Sequence, residues 1–164
     1  MKTNIVLIGL MGAGKTTIGK KLSALLDMPF TDSDENIEKN YGSISDLFSI
    51  GEGHFRDIES KIIKSMSGLE DIIMSTGGGV VLRPSNMEAL KQKGVVFYIK
   101  RSVEDILKTV ETDTRPLISN NPEALFRLSE EREPLYNKYC DYIIDASDIN
   151  KAVETIISIW TKIS

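Results

Sequence analysis

Short runs of apolar residues alternate along this chain with longer segments in which apolar residues recur every three or four positions. The short runs predict five strands, at residues 4–8, 29–31, 71–75, 95–99 and 141–144. The longer segments predict eight helices, at residues 15–26, 34–40, 44–50, 52–66, 85–93, 103–110, 122–139 and 150–163. Several strand segments are apolar without interruption, which is typical of strands covered on both faces. Strands and helices that alternate in this way predict an α/β fold built on a parallel sheet.

Two segments deserve separate interpretation. In the final helix, five apolar side chains share one stripe: Val153, Ile156, Ile157, Trp160 and Ile163. We expect this stripe to pack on the sheet, and a helix that binds a partner or lies on a membrane surface is the alternative. Residues 111–121 are polar and lie between two predicted helices, so we expect a lid or a binding loop there.

The composition is that of an ordinary globular domain, with 164 residues of which 41% are hydrophobic and 27% charged. We therefore expect a single domain over residues 1–164. The net charge of -4 argues against a basic nucleic-acid-binding face.

Cys140 is the one cysteine, so no internal disulfide can form, which favours a reducing compartment and predicts a cytoplasmic protein. The first apolar run is too short for a membrane span or a signal core, and we interpret it as a buried strand.

Residues 9–16, with the sequence GLMGAGKT, match the phosphate-binding pattern G-x-x-x-x-G-K-[ST]. The match lies after a predicted strand and before a predicted helix, where glycines let backbone N–H groups surround phosphate oxygens. Lys15 is expected to reach the β- and γ-phosphates, and the Thr16 hydroxyl to bind Mg²⁺. The expected nucleotide-binding residues of this segment are Gly12, Ala13, Gly14, Lys15, Thr16 and Thr17. The motif alone does not separate a kinase from a GTPase, an ATPase or a regulatory switch.

Two aspartates follow the second predicted strand, in the sequence Asp32-Ser33-Asp34. Ligands of open parallel sheets bind beyond the carboxyl ends of the strands, so both carboxylates are candidates for a site. One can lie near a metal ion and the γ-phosphate, and the other can hold an acceptor hydroxyl and assist the loss of its proton. The alternative is a structural one, in which Ser33 or Asp34 caps the helix that follows.

Arg56 and a run of three glycines are further candidates. Glu59 lies three residues after Arg56 on a predicted helix, where it can orient the guanidinium, and a surface ion pair is the alternative. Gly77, Gly78 and Gly79 follow the third predicted strand, and such a run permits the backbone to approach a ligand closely. A flexible turn is the alternative for the glycines, although three in succession cost conformational entropy.

Two more arginines occur in polar motifs. Arg115 lies in the predicted lid, from which it can close over the phosphates and stabilise negative charge in a transition state, unless it is a solvated loop residue. Arg132 is flanked by Glu131 and Glu133, so a surface salt-bridge network is its default interpretation. Arginine suits bidentate recognition of a carboxylate or a phosphate.

Taken together, these segments resemble the shikimate kinase family, in order and spacing over nearly the whole chain. The motifs that carry the resemblance are GLMGAGKT at 9–16, DSD at 32–34, F-x-x-G-E-x-x-F-R-x-x-E at 48–59, STGGG at 75–79, RPL at 115–117 and R-x-P-x-Y at 132–136. The resemblance implies a three-layer α/β/α P-loop kinase fold like that of nucleoside monophosphate kinases. Its sheet would have five parallel strands in the order 2-3-1-4-5, with a lid at about residues 111–121 and a substrate-binding segment at about 33–61.

The resemblance also implies an activity, the transfer of the γ-phosphate of ATP to the 3-hydroxyl of shikimate with Mg²⁺ as cofactor. The implied catalytic residues are Lys15, Asp32, Asp34 and Arg115. The implied acceptor site consists of Asp34 on the ring hydroxyls, Arg56 and Arg132 on the carboxylate, and the backbone at Gly77, Gly78 and Gly79. Asp32 would support Mg²⁺ through water, Arg115 would reach in from the lid, and Lys108 would lie near the adenine.

The chain departs from its relatives in the loop at residues 146–151, where they often carry an arginine or a proline that packs on the adenine and this chain has Ser-Asp-Ile-Asn at 147–150. We expect a monomer that acts on the small molecules shikimate and ATP and has no nucleic-acid or membrane partner. Two alternatives stay open: a P-loop kinase for another small acceptor, such as gluconate or a nucleoside monophosphate, and a non-catalytic binding module.

Overall fold

The computed structural model describes residues 1–110 and 121–164. Its strands are β1 (Asn4–Ile8), β2 (Phe30–Asp32), β3 (Ile73–Ser75), β4 (Gly94–Lys100) and β5 (Tyr142–Asp145). The helices in those residues are α1 (Lys15–Leu26), α2 (Ser33–Tyr41), α3 (Ile44–Ile50), α4 (Glu52–Ser67), α5 (Pro84–Lys93), α6 (Val103–Val110), α7 (Pro122–Tyr139) and α8 (Ile149–Ile163). Each predicted strand and helix is therefore present, and a short 3₁₀ turn, Val80–Leu82, follows β3.

The five strands form one parallel sheet in the order β2-β3-β1-β4-β5. At its centre, Val6 of β1 is in register with Met74 of β3 on one side and with Val96 of β4 on the other. This order confirms the arrangement 2-3-1-4-5 that the resemblance implies. Because all strands run the same way, their carboxyl ends meet at one edge of the sheet.

Helices cover both faces of the sheet, and the alternation of side chains along β1 shows how. Ile5 and Leu7 are fully buried against α1 and α8 on one face. Val6 and Ile8 are fully buried on the other face, where α4, α5, α6 and α7 pack. Successive residues of a strand point to opposite faces, so an uninterrupted apolar strand is buried on both. The three-layer α/β/α architecture is thereby confirmed.

The apolar stripe of α8 packs on the sheet, as predicted. Val153, Ile156 and Trp160 are buried in the cluster that also holds Leu22 of α1. Ile163, in the last turn, remains 45% exposed and lies beyond the packed part of the stripe. None of the helices in residues 1–110 and 121–164 is long and apolar enough to cross a bilayer.

One predicted boundary is wrong for a local reason. The strand predicted at 71–75 begins at Ile73, because Asp71 has a φ of 54°, in the left-handed region that a strand cannot continue through. The N–H of Ile72 donates to the Asn4 side chain at 3.2 Å and its carbonyl accepts from the Ile5 N–H at 3.0 Å, so Ile72 is already joined to β1 before the strand itself begins.

A third, small cluster supports residues 33–61. Ile37 of α2, Leu47 of α3 and Phe55 and Ile58 of α4 are buried together, apart from the two clusters that cover the sheet. Since α2 follows β2 directly, this cluster fixes α4 relative to the carboxyl end of the sheet.

The packing of α1 on the sheet can be tested with a pair of leucines on that helix. Leu22 is fully buried, so Leu22→Ala is expected to lower the free energy of unfolding by about 2–5 kcal/mol. Leu25 is 66% exposed, so Leu25→Ala should change it by less than about 0.5 kcal/mol. Urea unfolding of both variants measures the difference, and equal losses would contradict the assignment of α1 to the inner layer.

Candidate active site

The loops that follow the strands enclose a cavity of about 570 Å³ at the carboxyl edge of the sheet. Each strand contributes to its lining through the segment that comes next: Lys15 after β1, Asp32 at the end of β2, Gly77 after β3, Arg101 after β4 and Ile149 after β5. Side chains that are far apart in sequence therefore meet in one place.

The loop between β1 and α1 has the backbone conformation that its glycines permit. Gly9, Gly12 and Gly14 have φ values of 147°, 80° and 104°, in the region that favours glycine. Gly14 occupies the N-cap of α1 and offers no side chain to the first N–H groups of that helix. A helix N-terminus of this kind attracts anions through its N–H groups and the helix dipole. The buried ammonium of Lys15 donates to the carbonyls of Gly9 and Leu10, the latter at 2.9 Å.

Asp32, and not Ser33 or Asp34, caps α2. Its Oδ1 accepts from the N–H groups of Asp34 at 2.9 Å and Glu35 at 3.2 Å, and this corrects the sequence-based alternative. The correction has a geometric cause, since Asp32 is the last residue with extended backbone before the helix. Ser33 is buried and accepts a hydrogen bond from the Gly77 N–H at 3.0 Å, which joins the ends of β2 and β3.

The other oxygen of Asp32 lies beside the phosphate-binding loop. Its Oδ2 accepts a hydrogen bond from the Thr16 hydroxyl at 3.0 Å. A hydroxyl and a carboxylate are the hard oxygen ligands that suit Mg²⁺, which in proteins commonly takes one or two such ligands and fills its other positions with phosphates and water. Across the described residues there is no cluster of three or more His, Cys, Asp or Glu side chains that could hold a metal alone. These two residues therefore fit a magnesium ion that is shared with a bound phosphate.

Asp34, the second aspartate of this segment, also lines the cavity. Burial raises its pKa from 3.8 to about 6, and the neighbouring Asp32 carboxylate contributes to the rise. The ammonium of Lys15 acts in the opposite direction and lowers the pKa. A carboxyl group with a pKa near 6 is still largely ionised at neutral pH, yet it can bind a proton more readily than an exposed aspartate.

Arg56 and Glu59 form a buried pair and not a surface ion pair. Their side chains are joined by a bond of 2.9 Å between Nη1 and Oε1, and Glu59 is only 1% exposed. The guanidinium also lies over the rings of Phe55 and Phe48, at 5.1 and 5.6 Å from the ring centroids. Burial raises the pKa of Glu59, while Arg56 opposes the rise. The guanidinium of Arg56 is therefore fixed by one carboxylate and two aromatic rings.

Arg132 is also buried, at 8% exposure, so the salt-bridge network expected with its flanking glutamates is wrong. Among the described residues, Glu133 pairs with Lys100 at 3.0 Å, and Glu131 is exposed. Arg132 shares the inner face of α7 with Tyr136, four residues on, whose hydroxyl donates to the Gly78 carbonyl at 2.6 Å. The flanking glutamates therefore suggested that Arg132 lies on the exposed face of α7, whereas it lies on the buried face.

The three glycines make room for the charged side chains. A Cβ on Gly77 would lie 2.8 Å from the Oδ1 of Asp34, and one on Gly78 would lie 3.2 Å from the Nη1 of Arg132. A Cβ on Gly79 would lie 2.5 Å from the Cζ of Arg56, well inside van der Waals contact. One short backbone segment therefore brings Asp34, Arg56 and Arg132 together beside the phosphate-binding loop.

The predicted nucleotide residues outside the phosphate-binding loop have different outcomes. Lys108 is exposed on α6 and does not line the cavity, so its contact with adenine stays a prediction. Arg115 lies outside the described residues, as does most of the predicted lid. Sequence reasoning missed Arg101 and Ile149, which do line the cavity. The signal for Arg101 was available, because it follows the end of β4 as Asp32 ends β2.

The raised pKa of Asp34 leads to a prediction about stability. Because the pKa is higher in the folded than in the unfolded chain, the contribution of Asp34 is most favourable below pH 4 and is lost as the pH rises through about 6. Asp34→Asn is therefore expected to raise the free energy of unfolding by about 1–3 kcal/mol at pH 8 and to change it little near pH 4. Urea unfolding at both pH values measures this, with the exposed neighbour Glu35→Gln as the control. An equal effect at the two pH values would exclude the carboxylate charge as the cause.

Several known proteins are similar to this chain in sequence and in structure. The family model for shikimate kinase matches residues 11–161. Shikimate kinases of Caldicellulosiruptor bescii and of Clostridium botulinum strain Alaska E43 are 43% and 41% identical, each over 95% of this chain and over 94% and 96% of their own. A shikimate kinase structure from Acinetobacter baumannii, in complex with shikimate, superimposes with a TM-score of 0.90 at 36% identity, covering 99% of this chain and 94% of its own. The resemblance found in the sequence is confirmed, and this chain belongs to the shikimate kinase family.

Proposed function

We propose that this chain binds ATP and shikimate at the cavity on the carboxyl edge of the sheet, with the acceptor on the β2–β3 side of the phosphate-binding loop. The activity itself follows from the family: an ATP-dependent kinase with shikimate as the acceptor. The observation that carries the assignment of residues is the meeting of Asp34, Arg56 and Arg132 around the glycines at 77–79. The similar shikimate kinase structure from Acinetobacter baumannii is a complex with shikimate, which supports the same acceptor for this chain.

Arg56 and Arg132 would bind the carboxylate of shikimate. Both guanidiniums are buried in an acidic protein, where a cation needs an anionic partner to offset its desolvation. Glu59 engages one nitrogen of Arg56, so the remaining N–H groups of its planar fork can serve the acceptor. A neutral sugar would bring no negative charge to these two buried guanidiniums.

Asp34 would orient the 3-hydroxyl of shikimate and take its proton. In the transfer, the hydroxyl oxygen forms a bond to the γ-phosphorus, and the bond from that phosphorus to the bridging β–γ oxygen breaks. The proton of the hydroxyl passes to Asp34, and ADP leaves with the bridging oxygen. The pKa of Asp34, about 6, suits this role, because the carboxylate is ionised at neutral pH and yet basic enough to accept a proton.

The phosphate-binding loop would hold the donor. Lys15 and the N–H groups at the start of α1 bind the β- and γ-phosphates and neutralise charge that develops during the transfer. Thr16 and Asp32 would hold Mg²⁺, Asp32 through water. At that position Mg²⁺ would supply positive charge that offsets the negative charge of the phosphates. Arg115 is proposed to reach the phosphates from the lid, which would exclude water as a competing acceptor.

The remaining expectations about the molecule are proposals as well. We propose a cytoplasmic monomer of one domain over residues 1–164, with a lid at about 111–121 and an acceptor-binding segment at about 33–61. The net charge of -4 supports the absence of a nucleic-acid partner, and the single cysteine supports a reducing compartment. Light scattering of the purified chain at several concentrations tests the monomer.

The experiment that tests the function is a panel of acceptors in a coupled ADP-release assay with Mg·ATP. We expect turnover with shikimate and little with gluconate or with nucleoside monophosphates. Turnover that favours gluconate or a nucleotide would overturn the acceptor. ATP binding without turnover on any acceptor would instead support a non-catalytic module. Omission of Mg²⁺ in the presence of EDTA should abolish turnover, which tests the cofactor separately.

Loss of Arg132 is expected to weaken acceptor binding selectively. Arg132→Met removes a charge-assisted contact of about 1.5–3 kcal/mol, which corresponds to a rise of about 10- to 100-fold in the KM for shikimate. The KM for ATP should change by less than about threefold. Arg127→Met, five residues earlier on α7 and exposed, is the matched control and should leave both constants near those of the unaltered chain. Equal rises in the two KM values would argue against a carboxylate contact.

Loss of Lys15 is expected to affect the chemical step most. Lys15→Ala should lower kcat by at least about 100-fold, since the cation that stabilises charge on the transferred group is gone. Thermal unfolding should still show a single cooperative transition. Steady-state kinetics with saturating ATP and shikimate measure the loss, and undiminished turnover would remove Lys15 from the mechanism.

A further inference from the structure

The cavity extends along the sheet beyond the residues that the proposed function uses. The acceptor residues follow β2 and β3, and the phosphate-binding loop follows the central strand β1. The cavity continues on the side of β4 and β5, where Arg101, Thr109 and Ile149 line it. With the acceptor on one side and the phosphates at the centre, the nucleoside of ATP is left with the β4–β5 side. This end contains one arginine to which no role has been given.

Arg101 links two elements at that end. Its Nη1 donates to the Gly12 carbonyl in the phosphate-binding loop at 3.2 Å. Its Nη2 donates to the Thr109 hydroxyl, in the last turn of α6, at 2.7 Å. That hydroxyl in turn donates to the Asp105 carbonyl, one turn earlier, at 3.2 Å. The guanidinium therefore ties the outer side of the loop to a helix of the cavity wall.

The bond to Gly12 bears on the shape of the loop. Gly12 has a φ of 80°, and the N–H of the next residue, Ala13, donates to the Leu10 carbonyl at 3.2 Å. The peptide unit between Gly12 and Ala13 is thus fixed at its oxygen by Arg101 and at its nitrogen by Leu10. A peptide held at both ends cannot rotate toward the space that the phosphates occupy.

Stability alone does not explain an arginine at this position. The Nε of Arg101 is buried without a hydrogen-bond partner, one of three such side-chain atoms in the described residues. The other two belong to Arg56 and Glu59, beside the glycines at 77–79. A buried donor without an acceptor opposes folding, and an apolar side chain would avoid this cost. The position of the guanidinium beside the phosphate-binding loop indicates a role in ligand binding.

We propose that Arg101 is a nucleotide-positioning residue, which holds the Gly12 carbonyl outward and fixes the last turn of α6 as the wall of the nucleoside end. It acts through Gly12 and Thr109. The inference rests on the proposed function in one respect, that ATP occupies this side of the cavity. Its consequence is that nucleotide affinity depends on Arg101 while shikimate affinity does not.

The test measures nucleotide binding directly and kinetics separately. In Arg101→Met, calorimetric titration with Mg·ADP should give an affinity about tenfold weaker, as expected for the loss of charge-assisted hydrogen bonds. The KM for ATP should rise by a similar factor, and the KM for shikimate should change by less than about twofold. Arg101→Lys, which can keep one of the two contacts, should recover part of the affinity.

A double-mutant cycle tests whether Thr109 is part of the same device. Thr109→Val removes one of the two contacts and should weaken Mg·ADP binding in the same direction but by less. In the Arg101→Met background, Thr109→Val should add no further loss, because the shared contact is already gone. If Arg101→Met fails to fold, as seen by circular dichroism, Thr109→Val and Arg101→Lys carry the test alone.

Lys100→Met is the matched control for charge and location. Lys100 precedes Arg101 directly and pairs with Glu133 on α7, and it does not line the cavity. It should leave Mg·ADP affinity unchanged. Unchanged affinity in Arg101→Met, or equal changes in both KM values, would overturn the inference while the proposed function stands. A different result would separate the two proposals: Arg101→Met binds Mg·ADP more weakly, but the unaltered chain does not turn over shikimate. That result would refute the proposed function and leave the role of Arg101 intact.

Discussion

The central position of β1, hydrogen-bonded in parallel to β3 on one side and to β4 on the other, is the constraint on which the rest of the molecule depends. It places the phosphate-binding loop in the middle of the carboxyl edge of the sheet. The segment after β3 then lies on the proposed acceptor side, and the segment after β4 on the proposed nucleoside side. Asp32, Asp34 and Gly77 lie within a few residues of a strand end, whereas Arg56 and Arg132 reach the site from α4 and α7.

The proposed acceptor end concentrates charged side chains in a buried environment. Two carboxylates, Asp34 and Glu59, and two guanidiniums, Arg56 and Arg132, approach the same three glycines. The pKa values of both carboxyl groups are raised by burial, so the unliganded fold carries an electrostatic cost at neutral pH. Such a cost is typical of sites that are built to match a charged ligand and not to maximise stability. The buried unpaired atoms of Arg56 and Glu59 belong to the same pattern.

Local sequence patterns were sufficient for the architecture, and less so for the environment of individual side chains. The strand and helix pattern, the stripe of α8 and the glycine-rich loop all depend on periodicity or on backbone geometry, which neighbouring residues specify. The strand order came from family resemblance, because periodicity does not determine which strands are neighbours. Arg132 shows where local reasoning fails, since its glutamate neighbours point elsewhere and only the packing of α7 makes it a buried residue.

The misassigned cap and the overlooked arginine have related causes. Whether Ser33, Asp34 or Asp32 caps α2 depends on where the strand stops, and a boundary is uncertain by a residue or two from sequence alone. Arg101 carries no motif, and its importance becomes visible only when the loop carbonyl and the end of α6 are seen on either side of it.

The position of Trp160 has a practical consequence for spectroscopy. It is the one tryptophan of the chain and is buried with α1 against the sheet, in the same helix whose first residue, Ile149, lines the cavity. Trp160 follows Ile149 by eleven positions along α8, which corresponds to about 16 Å of helix. The intrinsic fluorescence of this chain should therefore report the unfolding of the layer formed by α1 and α8. It should change little when either substrate binds, so binding titrations require an added label or calorimetry.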